Sequence, residues 1–335
     1  DGSGLNFFGN SVSLSGNTAA VGAMQSNVGS NIGQGAVYIF QFDGSNWLQS
    51  HKLTASTNSN YTYFGRSVSL NGNKLAVGAS SATADDGTIS GAVYLYSLDN
   101  SSKWEELGKF LAADGNQYDS FGLSVSIHNE SVLAGAPSND GKGAVYPLKF
   151  VLVADKVFAP NDISFDRFES LQVDGTTAVV GTAFADSAYV IVRNGLNWTQ
   201  QAKITKPIFG FGRTVDISGD RIIIGSFVEN SNTGAVYVYK RNGTIWTEEA
   251  RLTDPTGSTF DNFGRSISIS ENTIVIGSSD KAPGGSVLIY EFVSGNWLFQ
   301  GEFSETAANK SFGQSVELEN NRMIVGSPGR AGRRI

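Results

Sequence analysis

A sixteen-residue stretch, FGRSVSLNGNKLAVGA at 64–79, returns again and again along the chain. The Phe-Gly pair that opens it stands at Phe8-Gly9, Phe64-Gly65, Phe121-Gly122, Phe211-Gly212, Phe263-Gly264 and Phe312-Gly313. In each copy a small residue follows the Phe by 15 positions: Ala23, Ala79, Ala136, Ser226, Ser278 and Ser327. A seventh copy, RFESLQVDGTTAVVGT, keeps Gly175 and Gly181 but carries Arg167-Phe168 where the others carry Phe-Gly. A fixed internal length between variable spacers marks the stretch as structure and the spacers as loops. One such hairpin cannot bury its own apolar faces, so the copies must pack against one another.

Two more strands follow most copies. One reads GAVYIF (35–40), GAVYLY (91–96), GAVYPL (143–148), SAYVIV (187–192), GAVYVY (234–239) and GSVLIY (285–290). The other opens at Trp47, Trp104, Trp198, Trp246 or Trp297, and in the third unit FVLVADKVF takes its place. Four short strands in about 45 to 55 residues is the period of a propeller blade. In SVSL, Val68 and Leu70 share one face while Ser67 and Ser69 share the other, by the two-residue strand period. Small residues on the inner strands and aromatics on the outer ones describe a wedge. The expected fold is therefore all-β: a seven-bladed β-propeller of four-stranded antiparallel blades in one domain over 1–335. Its blades start near Phe8, Phe64, Phe121, Phe168, Phe211, Phe263 and Phe312.

After Ser327 the last unit reads PGRAGRRI, without a Trp strand. The last blade is thus expected to stay incomplete or to be completed from outside the segment, which opens at Asp1 and reads as part of a longer protein. An unpaired outer edge invites another strand. Composition narrows the function classes. A net charge of -7 is no nucleic-acid footprint, which needs a basic stripe. No run of ~18 apolar residues offers a membrane span. With no cysteine, no disulfide or thiolate chemistry is available.

The stretch FGRSVSLNGNKLAVGA followed by GAVYLY resembles the FG-GAP repeat, the unit of the integrin α-subunit head propeller and of secreted FG-GAP proteins. The resemblance implies a seven-bladed propeller, extracellular placement (secreted or cell-surface), and a role in adhesion or protein contact. It also implies a test. Integrin-like members expand the turn between the first two strands into an Asp-rich calcium loop, because a hard cation wants six to eight oxygens. Here those turns read LSGNTA, LNGNKL, IHNESV, VDGTTA, ISGDRI, ISENTI and LENNRM, too short and too poor in carboxylates. No metal and no cofactor is expected.

Candidate residues lie in the loops and on the inner strands. Asp85 and Asp86 in TADDGT, and Asp140 in SNDGKG, sit between second and third strands; Asp-Gly there is also ordinary turn chemistry. Tyr61 and Tyr63, in TASTNSNYTY, are candidate interface aromatics, expected on the face opposite the loops 24–34 and 80–90. Asp216 and Glu317 replace inner-strand serines and are expected to face the central channel, where they would hold a cation or polar ligand. The two histidines, His51 and His128, show no triad-like neighbours. The leading expectation is a non-enzymatic module presenting loops to a protein or glycan at the cell surface. The alternative is an assembly subunit joined to neighbouring domains or subunits by strand addition at the open last blade. A polysaccharide-acting enzyme comes third.

Overall fold

The computed structural model describes residues 6–57, 59–84, 86–129, 131–148, 168–183, 186–194, 197–307 and 310–329. They form antiparallel sheets in sequence order: five of four strands, one of three and a final hairpin of two. Two short helical turns, Asn139–Gly141 and Glu229–Asn232, sit in loops. No described helix is long and apolar enough to cross a membrane. FVLVADKVF, the expected outer strand of the third unit, falls outside the described residues, as does the end of the chain from 330.

The first strands of the sheets are Phe8–Ser15, Phe64–Asn71, Ser124–His128, Phe168–Asp174, Thr214–Ser218, Ser266–Ser270 and Ser315–Glu319. Each packs beside the next, and the last packs beside the first, so they line a closed ring around a central axis. The molecule is an all-β propeller. Apolar clusters lie between consecutive sheets. One joins Val37, Ile39 and Leu53 of the first blade to Phe64, Tyr94 and Trp104 of the second. Equivalent clusters fill the following junctions.

The repeated serines explain how the ring is held. Residues two apart on a strand share a face, so Ser11, Ser13 and Ser15 all point at the next blade. The outermost layer runs from a hydroxyl to the Phe-Gly carbonyl of the neighbour. Ser11 donates to Gly65 O at 2.8 Å, Ser67 to Gly122 O at 2.9 Å, Thr214 to Gly264 O and Ser266 to Gly313 O at 2.7 Å. Ser315 closes the circle by donating to Gly9 O at 2.9 Å. In the middle layer Ser13, Ser69, Ser126 and Ser268 accept from the amides of Leu70, Ile127, Val173 and Leu318 at 3.0–3.1 Å. In the third, Ser15, Asn71, Asp174, Ser218 and Ser270 accept from the turn amides of Gly72, Asn129, Gly219, Glu271 and Asn320. Glu319 again closes the circle by accepting from Gly16 N. Inner-strand amides that no ladder reaches thereby find acceptors, as buried backbone groups require.

The glycine before each small residue serves the same junction. A Cβ on Gly78 would lie 1.9 Å from Gly122 O, and one on Gly326 would lie 2.0 Å from Gly9 O. The phenylalanine fills the wedge. Phe64 and Phe121 are fully buried and meet Tyr94 and Tyr146 edge-to-face at 5.3 and 5.1 Å between ring centroids.

The degenerate fourth copy is one residue shorter rather than substituted. Phe168, not Arg167, takes the aromatic place: it is buried, faces Tyr189 at 5.7 Å and pairs with Thr182. The glycine is deleted, and Glu169 follows directly. The outer latch fails on both sides of this blade, where the buried hydroxyls of Ser124 and Ser170 have no hydrogen-bond partner. Gly135 is correspondingly relaxed, with Phe168 O 3.8 Å from where its Cβ would stand.

Candidate functional site

An even number of strands per blade decides where the loops go. A four-stranded meander enters and leaves on one side, so the loop between strands two and three and the loop to the next blade share a face. The expectation that Tyr61 and Tyr63 lie opposite loop 24–34 is therefore corrected. Tyr61 N donates to Ile32 O at 2.8 Å, Phe64 N to Gln34 O at 2.9 Å, and Ile32 N to Asn60 Oδ1 at 2.8 Å. The same contacts recur as Tyr118 N to Ile89 O and Phe260 N to Ser231 O.

This face carries exposed aromatics at repeated places. Tyr61, Tyr118 and Phe260 each precede a buried Phe by three residues and are 53%, 65% and 67% exposed; Phe209, two residues before Phe211, is 63% exposed. Tyr61, Tyr118 and Phe260 hold φ of 56°, 71° and 70°, a left-handed conformation that bulky residues rarely adopt. Backbone strain at a ring turned to water is the kind of outlier found where a surface binds something. Of the predicted pair, Tyr61 is exposed, while Tyr63, also at φ 56°, is half-buried. Tyr118, Phe209 and Phe260 were missed, although their distance from the next buried Phe is legible in the sequence.

The predicted acids fare differently. Asp86 is exposed and accepts from Thr88 N at 2.9 Å, which holds its carboxyl below the usual range. Asp140 is exposed at φ 51° on the same face, and Asp85 lies outside the described residues. Asp119 and Asp261 are buried and cap local amides of Asn116 and Ser258 at 2.7 Å, which is turn chemistry. Lys281 joins Asp254 at 2.6 Å and Glu302 at 3.0 Å beside a cleft of about 400 Å³ lined by Phe260, Asp280 and Ser311. Burial alone would lower the Lys281 ammonium, but the hydrogen bonds it donates to those two carboxylates carry it above its ordinary value. Among the described residues no group of three or more His, Cys, Asp and Glu is placed to hold a metal.

Asp216 takes the place of a latch serine in the ring's middle layer and accepts from Ile269 N at 2.7 Å and its neighbour Ile217 N at 2.8 Å. Burial pushes its carboxyl up to about 7 despite those bonds, with Asp174 adding to the rise. Glu317 is raised well above its ordinary value by burial, then by Asp216 and Glu319. Glu317 is half-buried. The Asp216 carboxyl thus acts on that of Glu317.

The residue following each Phe-Gly forms a second ring at the channel mouth, inside the aromatics. Arg66, Arg213 and Arg265 occupy it in three blades, with Asn10, Leu123, Glu169 and Gln314 in the others, all half-buried. Arg213 meets Glu169 at 3.6 Å, and Arg265 donates to Gln314 Oε1 at 3.3 Å. Arg213 and Arg265 both lie over the Phe227 ring, at 5.3 and 5.4 Å. Burial lowers the Arg66 guanidinium, Glu169 opposes this and Arg265 reinforces it.

Among the described residues, the junction between the last and first sheets is less covered on its outer side. Phe8 is 44% exposed where Phe64 is fully buried, because parallel bridges such as Gly35–Phe64 and Gly285–Phe312 cover the later phenylalanines with the preceding blade's third strand. The last hairpin has no third strand among the described residues. A groove of about 410 Å³ lies there between Phe8, Phe40 and Trp47 on one side and Met323 and Val325 on the other.

The comparisons agree with this architecture. The FG-GAP repeat family matches residues 1–40, 47–96, 104–148, 198–239 and 246–290. No curated protein matches. Among solved structures, a chain of the mitotic checkpoint complex is 14% identical, with a TM-score of 0.60, covering 93% of this chain and 84% of that one. A putative 6-phosphogluconolactonase from Bacteroides uniformis is 10% identical, TM-score 0.62, covering 90% and 86%. U3-55K is 10% identical, TM-score 0.60, covering 90% and 81%. At such identities the likeness concerns the fold alone. The repeat matches cover well over half of the sequence, and the chain belongs to the FG-GAP repeat family.

Proposed function

We propose that the protein is a non-enzymatic binding module, extracellular in the manner common to FG-GAP proteins, that presents its loop face to a protein or glycan partner. The observation that carries this reading is the set of exposed aromatics, Tyr61, Tyr118, Phe209 and Phe260, spaced around one face of a rigid ring. Aromatic side chains supply much of the energy of protein interfaces. Tyr63, Asp86 and Asp140 belong to the same proposed surface, with Asp216 and Glu317 in the channel behind it. The test compares the extracellular proteins and glycans retained by the wild type, by Tyr61→Ala/Phe260→Ala, and by Leu298→Ala on an outer strand. A ligand lost only with the face variant supports the reading; ligands retained by all three contradict it.

The junction between the last and first sheets supports a second reading, assembly by strand addition. We take the ring to have seven blades, the last a hairpin whose missing third strand would lie on Phe8 as Gly35 lies on Phe64. A synthetic peptide copying residues 284–293 should fill the groove and raise the melting temperature. A peptide with the same composition in scrambled order should not.

A further inference from the structure

Three guanidiniums meet at the channel mouth of a chain whose net charge is -7. Arg213 and Arg265 converge on the Phe227 ring at 5.3 and 5.4 Å, and Arg66 holds the equivalent place after Phe-Gly in the second blade, with Glu169 and Arg265 among the charges that act on its guanidinium. Glu169 meets Arg213 at 3.6 Å, and among the described residues neither Arg66 nor Arg265 is paired with a carboxylate. Arg265 reaches a neutral partner, Gln314, and Arg66 donates to the Met24 sulfur at 3.4 Å, a weak acceptor. Like charges held together in a half-buried ring attract an oxyanion, and the guanidinium fork fits a carboxylate with two parallel hydrogen bonds.

We propose that the channel mouth is a receptor for a carboxylate side chain, delivered by an acidic peptide segment of the partner and gripped by Arg66, Arg265 and Arg213. The proposal rests on the loop face being the binding face. A carboxylate reaching the mouth from above the aromatics must travel on a stem. Glutamate has one, and its methylenes match the apolar surface of Phe227, over which Arg213 and Arg265 lie. A uronate bears its carboxyl directly on a bulky ring and cannot extend it in this way.

The test is calorimetric titration with hexaglutamate, hexaglutamine, trigalacturonate and inorganic phosphate, at low and at physiological salt. Hexaglutamate should bind, hexaglutamine should not, and raising the salt should weaken binding several-fold. Arg66→Gln/Arg265→Gln should weaken hexaglutamate at least tenfold, and Lys103→Gln, exposed just before the outer strand Trp104–Phe110, should leave it within twofold. Hexaglutamate titration of the wild type reads the mouth whatever ligands the face variant retains, so failure of the mouth and failure of the loop-face reading are distinguishable. Should the double glutamine variant fail to fold, Arg66→Lys/Arg265→Lys keeps the charge, removes the fork and should still weaken binding about threefold. No heat with hexaglutamate, equal binding by the arginine variants, or tighter binding of phosphate overturns the proposal. Tighter binding of trigalacturonate overturns it in favour of an acidic glycan.

Discussion

Gly78 and Gly135 occupy the same place in two copies, yet the junctions around them differ. A methyl at Gly78 meets a backbone carbonyl, Gly122 O, at 1.9 Å, and only a shift of the whole neighbouring blade relieves it. At Gly135 the nearest atom is the Ser124 hydroxyl at 2.5 Å, which has no hydrogen-bond partner and is free to rotate away. Gly78→Ala should therefore cost about 3 kcal/mol of stability, as overpacking does, and Gly135→Ala about 1 kcal/mol. Denaturant unfolding of the two variants measures the difference; equal losses would show that the glycine answers to strand geometry and not to the neighbouring blade. These positions also show what sequence makes legible. The fixed spacing from Phe to the small residue exposed six copies at once. The fourth was misaligned because a single deleted residue moves the Phe-Gly place without disturbing Gly175 or Gly181.

Within a blade, the inner strand matters most for what it gives its neighbour. Ser69 supplies the acceptor for the Ile127 amide at 3.0 Å, and Ser69→Ala removes that acceptor. The buried amide left behind should cost about 2 kcal/mol. Hydrogen exchange checks the location of the damage: Ile127, in the next blade, should exchange faster while the amides of Lys74–Ala79 hold. If only the mutated blade loosens, the serine acts inside its own sheet. Serine on the crowded side was read from the two-residue period, but its role as a latch to the next strand was not, since sequence does not print inter-blade contacts. The placement of Tyr61 went wrong for a simpler reason: counting four antiparallel strands returns the chain to the starting face. The arginine ring was missed although its signal was present, in the column of residues after each Phe-Gly, because Arg66, Arg213 and Arg265 are far apart along the chain.

For the whole molecule, the channel carboxyls set a pH dependence. Asp216, ordinarily near 3.8, is pushed up to about 7 by burial, and Glu317 moves the same way from 4.5. Both hold their protons more tightly in the folded state. The Asp216 contribution to stability is complete below the unfolded pKa near 4, declines from there and is lost as pH rises through about 7, and Glu317 acts in the same direction. The melting temperature should accordingly fall between pH 5.5 and pH 8. Asp216→Asn, which keeps an acceptor for Ile269 N, should flatten that fall and melt about 2 °C higher than wild type at pH 8. An unchanged slope would place the titration elsewhere.

Everything described for the binding face depends on the ring being closed by its smallest sheet, through Ser315 to Gly9, Glu319 to Gly16, and Arg322 Nη1 to Gly16 O at 2.8 Å. Native-state hydrogen exchange resolved to single amides tests that closure directly. The amides of Phe8–Ser15 and Ser315–Glu319 should be protected to the same degree as those of Ser266–Ser270, with Gly16 slowed like its counterpart Gly72. Free exchange at Gly16 and along Phe8–Ser15, beside protected strands in the middle of the chain, would mean an open arc of blades and would contradict the account.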